Sequence, residues 1–148
     1  MMKRIFAGVA AAAVVVSFGA HAGQSVDYTV GEASFEGYSA KAMGASKGLV
    51  LVIHDWDGLT DYEVKRAEML ADMGYDAFAV DLYGKGNRPA DTGAKKAETA
   101  KLYADRELMR SLILGGLDKA RSLGGGDAVV MGYCFGGAAV LELARSGK

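Results

Sequence analysis

The segment Val129-Val130-Met131-Gly132-Tyr133-Cys134-Phe135-Gly136-Gly137-Ala138-Ala139 runs from an apolar, β-branched stretch into a helix-forming one, with three glycines and a cysteine at the junction. Few arrangements accept that. A strand that turns abruptly into a helix forces unusual backbone angles, and it needs small residues where strand and helix close on each other. G-x-C-x-G-G at such a junction is the pattern of a nucleophile elbow, with sulfur in the place of a serine oxygen. Cys134 would then project above the end of a sheet. The helix N-terminus behind it favours negative charge and a reactive thiol, and the Phe135 N–H would point at a developing oxyanion. Three other readings share part of the pattern. A dinucleotide fingerprint, G-x-G-x-x-G, would need glycine at position 134, because a side chain there blocks the pyrophosphate. A flavin- or nucleotide-binding α/β domain shares the strand–helix order, but it does not account for the glycine spacing and has no phosphate loop here. A buried, inert cysteine is the plainest alternative.

The rest of the chain supplies elements to flank that turn. Val26–Val30 and Ser34–Met43 read as strands punctuated by Gly31 and Gly44. Gly48–Ile53 is a continuous apolar run, as expected of a strand covered on both faces. Asp61 opens a helical pattern that ends at Gly74. Ala77–Val80 is a second buried strand closed by Asp81, and residues 82–94 are loop-like, with Gly84, Gly86, Asn87, Pro89 and Gly93 breaking regular structure. Lys95–Leu123 reads as mostly helical with a break at Gly115-Gly116, and Lys95-Lys96-Ala97-Glu98 as a solvated helix face. Asp127–Gly132 is a third buried strand, and a helix starts at Phe135. Strands alternating with helices predict an α/β domain: a mostly parallel sheet with helices on both faces and right-handed crossovers.

Composition narrows the function classes. Hydrophobic residues make up 51% of the 148 and charged residues 24%, enough for a core. With 17 basic against 18 acidic side chains there is no basic excess, which argues against a dedicated nucleic-acid binder. One cysteine excludes an internal disulfide framework. Residues 1–22 follow the order of a secretory signal: Lys3-Arg4, an apolar run Ile5–Val16, and Ala20-His21-Ala22 before the expected cleavage site. The run is short of the ~20 residues that span a bilayer, so no stable membrane association is expected after cleavage. The domain would then be residues 23–148, periplasmic or secreted, with a formal charge of −3 and His54 as its single imidazole. Cys/His metal sites become improbable, and no metal or cofactor is expected.

Two further stretches line up with the elbow: Val52-Ile53-His54-Asp55-Trp56-Asp57-Gly58-Leu59 and Asp81-Leu82-Tyr83-Gly84. Together with Gly132-Tyr133-Cys134-Phe135-Gly136-Gly137 they resemble the dienelactone hydrolase family, of the α/β-hydrolase fold, over residues 45–148. The resemblance implies hydrolysis of small esters or lactones through an acyl-enzyme on cysteine. It makes Cys134 the nucleophile and Asp55, in place of a family glutamate, the group that takes the thiol proton. It makes the backbone N–H groups of Trp56 and Phe135 the oxyanion donors. Tyr83 and Lys85 would meet the substrate, Lys85 standing near a family arginine that binds a substrate carboxylate. Lysine keeps that charge without the bidentate fork, and aspartate is one methylene shorter than glutamate. Each residue also has a structural reading. His54 can be a loop histidine bonded to backbone rather than a base. Asp55 and Asp57 can cap the next helix or face solvent, Trp56 can be pocket wall, and Lys85 a solvated charge.

In this fold a triad acid and histidine follow the nucleophile along the chain. After Cys134 the sequence contains no Asp or His, and Glu142 is its only carboxylate side chain. Set against the family pattern, the sequence reads as the N-terminal part of a hydrolase, truncated after the elbow helix. The last strand is then expected to be an apolar edge, and the helix from Phe135 to lack cover over Ala139, Val140 and Leu143. A second hypothesis follows: a non-catalytic exported α/β domain that associates through its open sheet edge.

Overall fold

The computed structural model describes residues 23–148; the export signal read in residues 1–22 lies outside the described residues. The described chain opens with a hairpin. Strand β1 (Gln24–Val30) pairs antiparallel with β2 (Ala33–Ala40), Val30 opposite Ala33. Only two residues remain for the turn, and Gly31 takes φ 60°, the first position of the tight turns that suit twisted hairpins. Burial alternates along β1, with Val26 and Tyr28 inward, as the two-residue period of a half-covered strand requires.

The next strands are buried at every position. These are β3 (Leu49–Ile53) and β4 (Asp76–Val80), linked by helix α1 (Asp61–Asp72). Thr60 caps α1: its hydroxyl accepts from Tyr62 N–H, while the buried Glu63 carboxylate takes the Thr60 N–H at 2.9 Å. The cap is therefore Thr60, not Asp55 or Asp57. After β4 come α2 (Thr92–Ala104), α3 (Arg106–Ser122), β5 (Ala128–Gly132) and α4 (Phe135–Arg145). The sheet order is β1-β2-β4-β3-β5. Pairs β3–β4 and β3–β5 are parallel, β1–β2 and β2–β4 antiparallel, so only β2 runs against the other strands. The sheet is mixed by pairing and mostly parallel by direction.

Helices cover both faces. Leu49, Leu51, Ile53, Phe78 and Val80 point into one cluster with Met109, Leu112 and Ile113 of α3 and Ala139 and Leu143 of α4. Val50, Val52 and Ala79 point the other way, toward Leu59 and Val64, while Ala77 meets Ala67 and Ala71 of α1. No described helix is long and apolar enough to cross a membrane.

Several sequence expectations change here. The helical break falls at Asp105, not at Gly115-Gly116. Asp105 ends α2 and caps α3, its carboxylate accepting from Leu108 N–H at 2.8 Å. The glycines sit inside α3 because the sheet is close: an added Cβ would lie 2.4 Å from Val30 at Gly115 and 2.5 Å from Val80 at Gly116. Among the described residues β5 pairs only with β3, and Val129 is 65% exposed, so the strand is the apolar edge expected above, although its apolar run alone read as buried. Helix α4 is better covered than expected. Ala139 and Leu143 are buried and Val140 packs against the core. The buried Glu142 carboxylate ties α4 to α3 through Arg110 at 2.6 Å and Arg106 at 3.2 Å, with Arg145 at 2.8 Å. The Arg145 hydrogen bond, joined by Arg110 and Arg106, holds the Glu142 carboxyl below its ordinary pKa.

Candidate active site

Strand β3 lies at a point where the winding reverses. From β3 the chain crosses by way of α1 to β4 on one side; from β4 it returns by way of α3, on the other face, to β5. Loops leaving neighbouring strands toward opposite faces open a crevice at the carboxyl ends of the strands, the usual ligand position in open α/β sheets. Ile53 is in register with Gly132 on β5 and with Val80 on β4. Thus His54-Asp55-Trp56 leave the sheet between Tyr133-Cys134-Phe135 on one side and Asp81-Leu82-Tyr83 on the other. Five of the predicted site residues, Cys134, Phe135, Asp55, Trp56 and Tyr83, share this end of the sheet.

Cys134 has φ 50° and ψ −110°, and it is the one non-glycine residue at positive φ among those described. Such a conformation costs on the order of 1–3 kcal/mol and persists only where its surroundings enforce it. Here they do so by contact. A Cβ on Gly132 would sit 2.3 Å from the Gly136 carbonyl group, and one on Gly136 would sit 2.4 Å from the Ile53 carbonyl oxygen and 2.5 Å from that of His54. Strand β3, strand β5 and the start of α4 therefore touch backbone to backbone, and the turn between them has no room to relax. The thiol is exposed. It makes no capping hydrogen bond, whereas Thr60, Asp91 and Asp105 cap α1, α2 and α3 with their side chains. Helix α4 thus begins with its first amides unclaimed by any side chain, next to a free sulfur.

The β3 exit is held by polar groups instead. His54 is fully buried. Its Nε2 accepts from Leu82 N–H at 3.1 Å, so the ring proton sits on Nδ1, which donates to the Asp55 carbonyl at 2.6 Å. Burial lowers the pKa of this imidazole, despite the raising influence of the Asp55 carbonyl and of Asp81. With both nitrogens committed to backbone, His54 is a structural histidine and not a general base. Asp55 Oδ1 accepts from Asp57 N–H at 2.8 Å. Trp56 presents its carbonyl to the Tyr83 hydroxyl at 3.3 Å. Burial, reinforced by Glu98 and Asp55, raises the Tyr83 pKa, which keeps that hydroxyl a donor. The Tyr83 ring meets His54 at 4.6 Å and Phe135 at 6.0 Å between centroids, so the three turns pack through one aromatic cluster.

Two placements depart from the sequence reading. The Lys85 ammonium pairs with Asp27 of β1, at the sheet edge opposite β5. Four strand spacings separate those edges, roughly 19 Å at ~4.8 Å each, so Lys85 is not brought together with Cys134. Conversely, Lys95 is not a solvated charge. Its ammonium pairs with Asp57 at 2.5 Å and lies 5.5 Å from the centre of the Trp56 ring, bracing the β3 exit from α2. Its spacing in a charged run concealed this, since only the fold brings α2 over that loop.

Residues 35–148 match the dienelactone hydrolase family. No curated protein matches the chain. Among solved structures, one named m3DLH is 34% identical with a TM-score of 0.81, over 88% of this chain and 56% of the other. A dienelactone hydrolase-like promiscuous phosphotriesterase from metagenomic libraries is 32% identical with a TM-score of 0.80, over 87% and 56%. A dienelactone hydrolase from Anabaena variabilis is 25% identical with a TM-score of 0.58, over 85% and 59%. The chain therefore spans a little over half the length of these relatives.

Proposed function

The chain belongs to the dienelactone hydrolase family, and from that premise we propose that Cys134 is its nucleophile toward small esters or lactones. In the proposed step the thiol gives its proton to the Asp55 carboxylate. The sulfur adds to the acyl carbon, and the carbonyl electron pair moves onto oxygen. The N–H groups of Phe135 and Trp56 bind that oxyanion. Collapse of the adduct expels the alcohol oxygen, which takes a proton, and leaves a thioester on Cys134. Water then releases the acid. No described residue is assigned as base for that last step, because His54 is committed to backbone. Lys85, held by Asp27, lends no support to an anionic substrate, so the substrate class is kept at small esters and lactones.

One observation carries this reading. A strained, exposed cysteine stands at the one described helix start with no side-chain cap. A cysteine kept only for packing would have no reason to occupy that backbone conformation. The test is direct: incubate the chain with p-nitrophenyl acetate and follow its mass. An acetyl group on Cys134 and a matching burst of p-nitrophenolate are expected, both absent in Cys134→Ala. A burst that survives that substitution would refute the assignment.

Export to the periplasm or beyond is part of the same proposal. It predicts a mature protein beginning at Gly23, readable from the intact mass of the protein recovered from the expressing cells.

A further inference from the structure

The peptide joining Asp55 to Trp56 is gripped on its oxygen. That carbonyl accepts from His54 Nδ1 at 2.6 Å and, more weakly, from Gly58 N–H at 3.5 Å. The peptide is trans, and in a trans peptide C=O and N–H point in opposite directions within one plane. Whatever holds the Asp55 oxygen therefore aims the Trp56 N–H. The next peptide is held too, by the Tyr83 hydroxyl on the Trp56 carbonyl and by Asp55 Oδ1 on the Asp57 N–H. The Trp56 N–H itself has no acceptor among the described residues. Its anchor is held on several sides: the His54 ring is sealed from solvent, bonded at Nε2 by Leu82 N–H, and packed against both Tyr83 and Phe135. The His54 carbonyl, meanwhile, lies against Gly136 in the first turn of α4.

We propose that His54 is a positioning residue. Its Nδ1–H, in the neutral tautomer set by Leu82, orients the Asp55–Trp56 peptide so that the Trp56 N–H faces the acyl oxygen above Cys134. The proposal rests on the acyl-transfer reading given above. It assigns the imidazole no proton transfer and no contact with substrate.

The two ring nitrogens do different jobs, and two substitutions separate them. His54→Asn keeps a donor near the Nδ1 place and loses the acceptor for Leu82. His54→Gln keeps an acceptor near the Nε2 place and loses the donor for Asp55. Two reactions of Cys134 separate orientation from simple integrity. Acylation by p-nitrophenyl acetate builds an oxyanion; alkylation by iodoacetamide displaces iodide at a saturated carbon and builds none. In His54→Gln, acylation should fall about 10- to 100-fold, less than the ~10²–10³-fold for deleting an oxyanion donor outright. Alkylation should stay within about twofold, and His54→Asn should hold acylation within about threefold of the parent. Parallel loss of both reactions in His54→Gln, or loss of neither, would overturn the proposal. Should His54→Gln fail to fold, the ¹⁵N imidazole shifts of the parent chain decide: a proton on Nδ1 supports the proposal and a proton on Nε2 overturns it. A parent chain whose burst is unchanged by Cys134→Ala would instead bring down the acyl-transfer reading, and this proposal with it.

Discussion

The two turns that meet at the ends of β3 and β5 are built by opposite means. The β3 exit, residues 54–60, is a web of side-chain hydrogen bonds from His54, Asp55, Thr60 and Glu63, braced by Lys95 on Asp57. At the β5 exit, residues 132–136, the Cys134 side chain makes no capping hydrogen bond. That turn is shaped by missing side chains at Gly132 and Gly136 and by a strained Cys134. A turn that presents backbone N–H groups can be held from behind by polar side chains. A turn that holds a side chain at positive φ is kept by contact, because the neighbouring backbone leaves it no room to relax.

The sharpest way to break that contrast is Gly136→Ala. The added carbon would meet two backbone oxygens at 2.4 and 2.5 Å, and backbone cannot step aside as a side-chain tip can. Urea unfolding should show a loss of about 3 kcal/mol or more; a loss under about 1 kcal/mol would mean that the turn is not contact-held.

Acid probes the polar turn. Burial sets the folded-state pKa of His54 below its unfolded value of about 6.5. The unfolded state therefore binds the proton first, and the contribution is complete above about pH 6.5 and shrinks as the pH falls below it. Glu142, whose carboxyl is lowered chiefly by Arg145, adds a second decline in the same direction below about pH 4.3. A melting-temperature series from pH 8 to pH 4 should slope downward from about 6.5, and the first decline should flatten in His54→Asn.

Relieving strain is gentler. Cys134→Gly should gain about 1 kcal/mol in urea, because glycine accepts φ 50° without penalty, while losing all acylation. A destabilised variant would show that the cysteine is kept for packing. Smallest is Lys95→Met, which removes a partly exposed ion pair and an ammonium above Trp56. About 0.5–1 kcal/mol is expected, with Cys134 alkylation unchanged.

Much of the Cys134 turn was legible in the sequence, because contact-built turns write themselves locally. Glycine spacing around Cys134 is a steric requirement of one short segment. The polar turn was less legible. That His54 would bond Leu82, or Lys95 reach Asp57, depends on β4 and α2 arriving beside β3, and no local pattern encodes those distances. Gly115-Gly116 misled for the same reason: glycine inside a helix signals a break when read alone, but close approach to Val30 and Val80 when the sheet is present. The dense apolar runs of β3 and β4 marked them as covered on both faces. The similar run of β5, read alone, also suggested burial; only the comparison with the family pattern marked it as the edge that it is among the described residues.

The most direct measurement of the central claim is the stoichiometry of acyl transfer. Mixed with excess p-nitrophenyl acetate, the chain should release a burst of no more than one equivalent of p-nitrophenolate. Peptide mapping should place a single acetyl thioester on Cys134, and prior treatment with iodoacetamide should abolish both. Rapid alkylation of Cys134 with no acylation would contradict the account, for it would leave an exposed thiol with no oxyanion donors to serve it.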